Sequence, residues 1–399
     1  MQKKKLATDV LWSISALVLL NGVLQIVVYP NLNQHMGEMG FGEVLYVLGI
    51  LAIFAPAIGL AANNARLIEQ REIQVQNADV LLAVLSLTIP SLAVFLFASG
   101  MHLSSIKEQL VAGVLLLLTT LRYYGDVEYR MTLYYKGYFE YYAIISCGYL
   151  LGLLIYPLTR SWMLVFLIGE LACNLWLLRK GHIYRPLVLS ADRKHINRKI
   201  RVLTYSYLLY NAVLNLDRIM LQNLMGSKIV TVYYVASLLG KTAALLVGPL
   251  NGVIIGYLSK SKVRLTTSQY VKVAGIVLGM GSVLFLGIVI VTPAFVRLFY
   301  GNIAAQVQEI YVWASLSQVI CFASSLILTI MLTFCTEIWQ FVIQGIYAVG
   351  FVVFCMLGTT VAGIQGFVIG CLLANILRFI LSVVAGVFLL YKQRSTDTL

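Results

Sequence analysis

The sequence predicts an all-α polytopic membrane protein with twelve transmembrane helices in two six-helix lobes. Of its 399 residues, 60% are hydrophobic and only 11% are charged, and the mean hydropathy is +0.88. A soluble domain carries about 25% charged residues, because its whole surface faces water. The composition therefore excludes a soluble enzyme and, despite a net charge of +13, a nucleic-acid-binding domain.

Apolar stretches long enough to cross a bilayer recur along the chain. A helix crosses the hydrocarbon with roughly 20 residues, and the stretches lack the alternation typical of barrel strands. The first stretch carries Asn21 and Gln25 and lacks a cleavage site, which favours a membrane span over a signal peptide. The twelve predicted spans are 8–30, 41–63, 78–98, 108–126, 139–157, 161–179, 202–223, 229–258, 271–292, 305–334, 338–358 and 366–391.

The distribution of Lys and Arg predicts the orientation of these spans. With the N-terminus in the cytoplasm, the inside segments hold 22 Lys and Arg residues and the outside segments hold four. Because basic residues favour the cytoplasmic side, this asymmetry predicts that both termini are cytoplasmic. The same charges explain the basic balance of the chain without invoking nucleic acid.

The longest loop divides the chain into an N-terminal lobe (1–180), a basic cytoplasmic linker (181–201) and a C-terminal lobe (202–399). An offset of 190 places Asn21 on Asn211 and Gln25 on Asn215. This match favours two parallel repeats, whose substrate sites lie near the membrane midplane between the halves, although chance matches would look the same. The linker charges either orient the chain and contact lipid headgroups or receive an anionic substrate first.

A polar stripe marks the seventh span. Asn211, Asn215, Arg218 and Gln222 share one helix face at i, i+4, i+7 and i+11. Asn21 and Gln25 begin a matching stripe in the first span. Polar side chains rarely face lipid, so we expect this face to line protein or a hydrated cavity. The alternative is that the amides only bond neighbouring helices.

Five ionisable residues lie at membrane depth: Glu170, Asp217, Arg218, Lys241 and Arg378. A charge at the centre of a spanning helix costs about 2.5–3.5 kcal/mol, so each is a functional candidate. Three cations against two anions predict a slightly positive cavity that attracts phosphate. The alternative for Asp217 is a structural ion pair with Lys241 or another cation.

Eight tyrosines occur between Arg122 and Tyr142, at the predicted cytoplasmic end of the fourth and fifth spans. A belt at headgroup level is the simplest interpretation, and stacking on sugars is the alternative. No catalytic, phosphate-loop or metal-ligand spacing occurs, so neither an enzyme nor a cofactor or metal is expected. Transport would then depend on an H⁺ or Na⁺ gradient, the membrane potential or mass action. The six cysteines are interpreted as small buried apolar side chains.

Several segments resemble a known family. Asn215-Leu216-Asp217-Arg218-Ile219-Met220-Leu221, Gly226 and Tyr233-Tyr234 are similar to the polysaccharide transport branch of the MOP superfamily, the Wzx-type oligosaccharide flippases. The segments Arg122-Tyr123-Tyr124 and Tyr135-Lys136-Gly137-Tyr138 resemble the same family.

The resemblance implies a MATE-like fold in a bacterial plasma (inner) membrane. It implies a flippase that carries undecaprenyl-diphosphate-linked oligosaccharide to the outer leaflet, for O-antigen, capsule or exopolysaccharide, with a polymerase and chain-length machinery as further partners. The main alternative is a MATE-like exporter of small organic compounds. The expected residue roles are diphosphate and sugar binding (Arg218, Lys241, Arg378, Asn21, Gln25, Asn211, Asn215), ion coupling (Glu170, Asp217) and cytoplasmic entry (Arg66, Arg122, Tyr123, Tyr124).

Overall fold

The computed structural model describes residues 2–397, except 71, 72, 74, 104, 191, 245–265 and 332–336. Every regular element in this part of the chain is a helix. In chain order these are α1 (Gln2–Gly22, continued by a π-helical turn, Val23–Val28), α2 (Tyr29–Glu69), α3 (Asn77–Ser99), α4 (Ile106–Gly125), α5 (Val127–Met131), α6 (Tyr135–Thr159), α7 (Trp162–Lys180), α8 (Arg193–Met225), α9 (Ser227–Ala244), α10 (Thr267–Phe299), α11 (Ala304–Gln308), α12 (Tyr311–Met331) and α13 (Glu337–Asp397).

Eight described helices are long and apolar enough to cross a membrane, and they contain all or most of ten of the twelve predicted spans; the other two are 202–223 on α8 and 229–258. Two of these stretches are long enough to cross twice. Thr8–Glu69 runs through α1, the π-helical turn and α2 and breaks at Gly37, and Ile338–Tyr391 in α13 breaks at Ala362 and Gly363. Gly37 has φ 71° and ψ 175°, a conformation open almost only to glycine. The predicted loop between the first two spans is therefore helical on both sides of a single-residue break. Of the predicted eighth span, 229–258, only the part up to 244 lies within the described residues.

The chain forms two compact units, Met1–Asn223 and Leu224–Leu399. The first unit therefore includes almost all of α8, whereas the sequence analysis places residues 202–223 in the second lobe. Hydrogen bonds between α2 and α8 connect α8 to the first unit. Asn64 donates a hydrogen bond to the Tyr207 hydroxyl at 2.8 Å, and Asn211 donates to the backbone oxygen of Ile53 at 3.4 Å.

Within the first unit, α6 and α7 meet at glycines. A methyl group on Gly148 would lie 2.4 Å from the Cα of Gly169, and one on Gly152 would lie 2.6 Å from the Cα of Val165. Small residues four apart let helix backbones approach closely, which is how membrane helices associate without a hydrophobic driving force between them.

The second unit has its own apolar core, made by α10, α12 and α13. Tyr270, Phe322, Ile327 and Met331 are among its buried members, and the Tyr270 hydroxyl donates to the backbone oxygen of Ser382 at 2.9 Å. Large apolar side chains elsewhere are exposed, among them Phe97, Leu154, Ile290 and Val361. Such exposure fits contact with lipid rather than water.

The described cysteines follow the expected pattern with one exception. Cys173, Cys355 and Cys371 are buried and Cys321 is half-buried, but Cys147 is exposed, so its prediction as a buried side chain is wrong. Cys147 lies on α6, and Cys335 falls outside the described residues.

Candidate functional site

The predicted polar face of α8 lies along α2 in the first unit. Arg218 packs beside Gly49, where an added methyl group would lie 3.2 Å from the Arg218 Cδ. Asn215 donates to the backbone oxygen of Asn211 at 2.9 Å, so these two stripe members are linked within α8. Asp217 is buried, and its Oδ1 accepts the backbone N–H of Arg218 at 2.8 Å. Glycine at position 49 thus leaves room for the arginine stem.

The matching stripe on α1 lies at an irregular turn. Asn21 donates to the backbone oxygen of Leu17 at 2.9 Å, and Gln25 sits within the π-helical turn Val23–Val28. Such turns widen a helix locally and are frequent at functional sites. Tyr29, the first residue after the turn, is close enough to Arg218 to interact with it electrostatically. The structure thereby brings the end of the α1 stripe near the arginine of the α8 stripe.

Arg122 and Glu170 form a buried ion pair between α4 and α7. The Arg122 Nε lies 2.9 Å from both carboxylate oxygens, and the two side chains are 7% and 2% exposed. The Tyr149 hydroxyl donates to the same carboxylate at 2.7 Å, and the guanidinium lies 4.1 Å from the Tyr123 ring centroid. The proposed coupling residue Glu170 and the proposed entry residue Arg122 therefore neutralise each other.

Two other proposed entry residues also lie inside the first unit. Arg66 is 6% exposed, and its guanidinium donates to the Tyr124 hydroxyl at 2.5 Å and to the Asn77 Oδ1 at 2.6 Å. Five of the eight clustered tyrosines are buried, which places them in the interior rather than in a headgroup belt; these are Tyr124, Tyr129, Tyr138, Tyr141 and Tyr142. Two of them also bond another helix or its end: the Tyr141 hydroxyl donates to the backbone oxygen of Arg122 at 3.4 Å, and the Tyr142 hydroxyl donates to the Asp126 Oδ2 at 3.0 Å.

Two carboxylates that the sequence analysis missed hold the start of the linker. Glu128 accepts the backbone N–H groups of His182 and Ile183 at 3.0 and 3.1 Å. Asp79 accepts the backbone N–H of Ser190 with both oxygens at 3.2 Å. Their position at the ends of α3 and α5 was visible in the sequence, but their partners lie more than fifty residues away.

One further contact fixes the same segment to α7. The Tyr184 hydroxyl donates to the Asn174 Oδ1 at 3.3 Å. Burial raises the pKa of the Tyr184 phenol above its usual value, so this group stays protonated as the hydrogen-bond donor. The first part of the linker is therefore a folded part of the first unit.

In the second unit, Lys241 lies over an aromatic ring. Its Nζ is 5.4 Å from the ring centroid of Tyr233, the tyrosine two turns earlier on α9. Tyr233 is 1% exposed and packs edge-on against Phe367 at 5.6 Å. A ring face attracts a cation electrostatically, and this contact supports the ammonium group at the end of the described part of α9.

Arg378 is the buried cation of the second unit. It is 3% exposed, its guanidinium lies 5.0 Å from the Tyr347 ring centroid, and its Nη1 lies 3.8 Å from the Cys321 sulfur. The sequence contains no Asp or Glu from Arg218 to Gln308. Of the acidic residues that follow, Glu309 falls in the predicted span 305–334, but Glu309, Glu337 and Asp397 all lie outside the described helices that are apolar enough to cross a membrane. No described carboxylate therefore neutralises Arg378.

Asn375 was missed by the sequence analysis although it precedes Arg378 by three residues on the same helix face. Its Nδ2 donates to the Ser317 hydroxyl at 2.9 Å, and its Oδ1 is buried without a hydrogen-bond partner among the described residues. The i, i+3 spacing from an intramembrane arginine was the signal that could have identified it. No group of three His, Cys, Asp or Glu residues able to hold a metal ion occurs in the described part of the chain.

The fold has counterparts among solved structures, although no protein-family model and no curated protein matches the chain. The structure of the lipid II flippase MurJ in an inward closed conformation is similar, with a TM-score of 0.70 and 12% identity over 94% of this chain and 87% of that one.

Two MATE structures are similar over nearly their full length. An inward-facing multidrug resistance MATE transporter of the MOP superfamily gives a TM-score of 0.62 at 16% identity, covering 97% of this chain and 96% of that one. A Vibrio cholerae MATE transporter gives 0.64 at 12% identity, covering 98% and 97%. These likenesses confirm the predicted fold class, an all-α membrane protein of the MATE and MurJ type.

Proposed function

We propose that this chain, built on the fold of MurJ and the MATE transporters, is a flippase for undecaprenyl-diphosphate-linked oligosaccharide repeat units. It would move them from the cytoplasmic to the outer leaflet by alternating access, for surface polysaccharide biosynthesis. The observation that carries this proposal is the charge balance at membrane depth. Of the two carboxylates at that depth, Glu170 is paired with Arg122 and Asp217 is the other, whereas the sequence places three cations there (Arg218, Lys241, Arg378).

This balance suits a diphosphate. An arginine guanidinium presents several N–H donors in a planar fork that matches phosphate oxygens, and the attraction is strong where water is scarce. In the first unit we assign Arg218, which is only half-buried, to contact with the diphosphate. In the second unit the half-buried candidate for the same role is Lys241. Arg378 is buried, so we assign it to raising the local positive potential rather than to direct contact.

The amides are assigned to the glycan. Asn21, Gln25, Asn211 and Asn215 are all half-buried and lie on the stripes of α1 and α8. Asn21, Asn211 and Asn215 use their amide nitrogens to bond backbone oxygens of their own or neighbouring helices, and an amide oxygen can accept from a sugar hydroxyl. Because the Glu170 carboxylate is held by Arg122 and Tyr149, we place any H⁺ or Na⁺ coupling on Asp217.

The test is mass spectrometry of the intact purified protein, identifying the lipids it retains. Wild type is compared with Arg218→Ala and Arg378→Ala, and Arg297→Ala, an exposed arginine at the end of α10, is the matched control. We expect a polyprenyl-diphosphate sugar on wild type and control and its loss from both test variants. Equal retention by all four proteins would contradict the assigned site.

The second candidate function is export of small organic compounds, as in the MATE transporters. It is favoured by the nearly complete coverage of those structures and by the buried carboxylate of Asp217 on α8. Binding of ethidium by the purified protein separates the two functions. Ethidium binding that is lost in Asp217→Asn, with no retained polyprenyl diphosphate, would favour the exporter.

A further inference from the structure

The first turns of α8 carry a row of cations that the packing leaves uncovered. Arg193, Lys194, Asn197, Arg198 and Arg201 line an open cavity of about 670 Å³ together with Val202. We call Arg193, Lys194, Arg198 and Arg201 the α8 basic face. All four side chains are exposed, and none of the ion pairs among the described residues includes them.

The other side of the same turns is engaged in the first unit. Ile196 and Ile200 are buried, Lys199 pairs with Glu69 at 3.0 Å, and the His195 Nε2 lies 2.8 Å from the same carboxylate. These contacts fix the rotation of the helix. The structure thus divides the linker charges, which look equivalent in the sequence, into an engaged set and the α8 basic face.

The α8 basic face places positive charge at the N-terminal end of the helix, where it is electrostatically unfavourable. A helix N-terminus carries a partial positive charge of its own, so cations in the first turns are unfavourable unless an anion is near. Asp192 precedes the helix, but it is exposed and makes no ion pair with the described residues. The arrangement therefore favours an external anion.

Along this face of α8, the residue types change in the same order as the layers of a bilayer. Lys194, Arg198 and Arg201 are followed at helical spacing by Tyr205 and Leu209, which are 63% and 51% exposed. Cations come first, then an aromatic ring and then an aliphatic side chain. From the surface inwards, a bilayer presents headgroups, the interface and the acyl chains, which are the layers these residue types prefer.

The length of α8 places the basic face at headgroup depth. Its 33 residues measure about 50 Å at 1.5 Å per residue, whereas the hydrocarbon is about 30 Å thick. If the apolar part, 202–223, spans the hydrocarbon, Arg201 lies at its edge and Arg193 lies about 12 Å further out.

From this geometry we infer that the α8 basic face is a binding site for the phosphate headgroup of an anionic bilayer phospholipid, with the acyl chains along Val202, Tyr205 and Leu209. The phosphate would lie among the cations in the 670 Å³ cavity. This site is separate from the proposed substrate residues and does not depend on what the protein transports.

The test measures lipid binding by the full-length protein in detergent, by mass spectrometry of the intact complex with added dioleoyl phosphatidylglycerol or dioleoyl phosphatidylcholine. The test variant combines Lys194→Gln, Arg198→Gln and Arg201→Gln. The matched control combines Lys107→Gln, Arg160→Gln and Arg297→Gln, which removes one lysine and two arginines from other exposed positions. Arg198→Lys, which keeps the charge, separates an electrostatic effect from a loss of fold.

We expect wild type, the control and Arg198→Lys to prefer phosphatidylglycerol, and the test variant to bind it about tenfold more weakly, since each surface cation contributes to attraction of anionic lipid. Added salt should reduce the preference. An equal loss in test variant and control would overturn the site, as would equal binding of the two lipids by wild type. No sugar-linked lipid is present in the assay, so its failure leaves the proposed transport function standing.

Discussion

Replacing Glu170 by Gln should destabilise the first unit more than any single surface change. The Arg122 guanidinium would keep its buried position without a countercharge, because its Nε lies 2.9 Å from both oxygens of a carboxylate that is 2% exposed. Removing one partner of a buried ion pair costs about 3–5 kcal/mol, since the remaining charge is stranded in a medium of low dielectric constant. The Tyr149 hydroxyl would also lose its ionised acceptor.

The matched control is Lys199→Gln, which breaks the pair with Glu69 at 3.0 Å. The Lys199 side chain is 44% exposed, and pairs of this kind contribute only about 0–1 kcal/mol. Unfolding of both variants and wild type in detergent, followed by tryptophan fluorescence against denaturant, compares the two losses. The double variant Arg122→Gln/Glu170→Gln should be more stable than Glu170→Gln alone, because no charge is stranded. If Glu170→Gln loses no more stability than Lys199→Gln, or the double variant is the worst of the three, the reasoning is refuted.

Three further changes test other parts of the structure. Gly37→Ala should lower the free energy of unfolding by about 1–3 kcal/mol in the same assay, because φ 71° with ψ 175° is strained for any residue with a side chain. The control Gly22→Ala lies in helical backbone with open space around it and should cause no loss of stability. Gly49→Ala should weaken lipid-linked substrate retention with little loss of stability, because its methyl group would lie 3.2 Å from the Arg218 Cδ and displace that side chain; unchanged retention would argue against the assigned role of Arg218. Glu128→Gln should speed proteolytic cleavage at 181–185, because the two backbone N–H groups held by its carboxylate would lose a charged acceptor, and an unchanged cleavage rate would contradict that anchoring role.

The spans could be predicted because their signals are local. A run of roughly 20 apolar residues is visible in one stretch of sequence, and so is the spacing that puts Asn211, Asn215 and Arg218 on one face. The break at Gly37 was less visible, since a single glycine ends one span and begins the next without a polar loop. The spacing of apolar residues does not distinguish a break within a helix from a loop at this position.

The partners of the buried charges could not be predicted in the same way. Glu170 lies 48 residues from Arg122, and nothing in either helix alone specifies that they meet. Tyr124 is a second example. The sequence suggests an aromatic residue at the membrane interface, but in the structure Tyr124 is buried and accepts a hydrogen bond from the Arg66 guanidinium. An ionisable or aromatic residue near a span end has the same sequence signature whether it faces lipid, a cavity or another helix. Tertiary packing alone decides between them.

The ion pair between Arg122 and Glu170 changes the balance of charges at membrane depth. Counting residues gives three cations and two anions at membrane depth, an imbalance of one that a single protonation would erase. Accounting for partners removes Glu170 with Arg122, which lies at the end of a span and was not in that count. The imbalance in this count then becomes two. The second unit contributes Lys241 and Arg378, and its described membrane-crossing helices contain no Asp or Glu. Arg378 is buried and no described ion pair includes it, which is costly, and under the proposed function attraction of an anionic substrate accounts for its retention. For the same reason Arg378→Met should leave the second unit as stable as wild type or more so, and a large loss of stability would mean that Arg378 is structural.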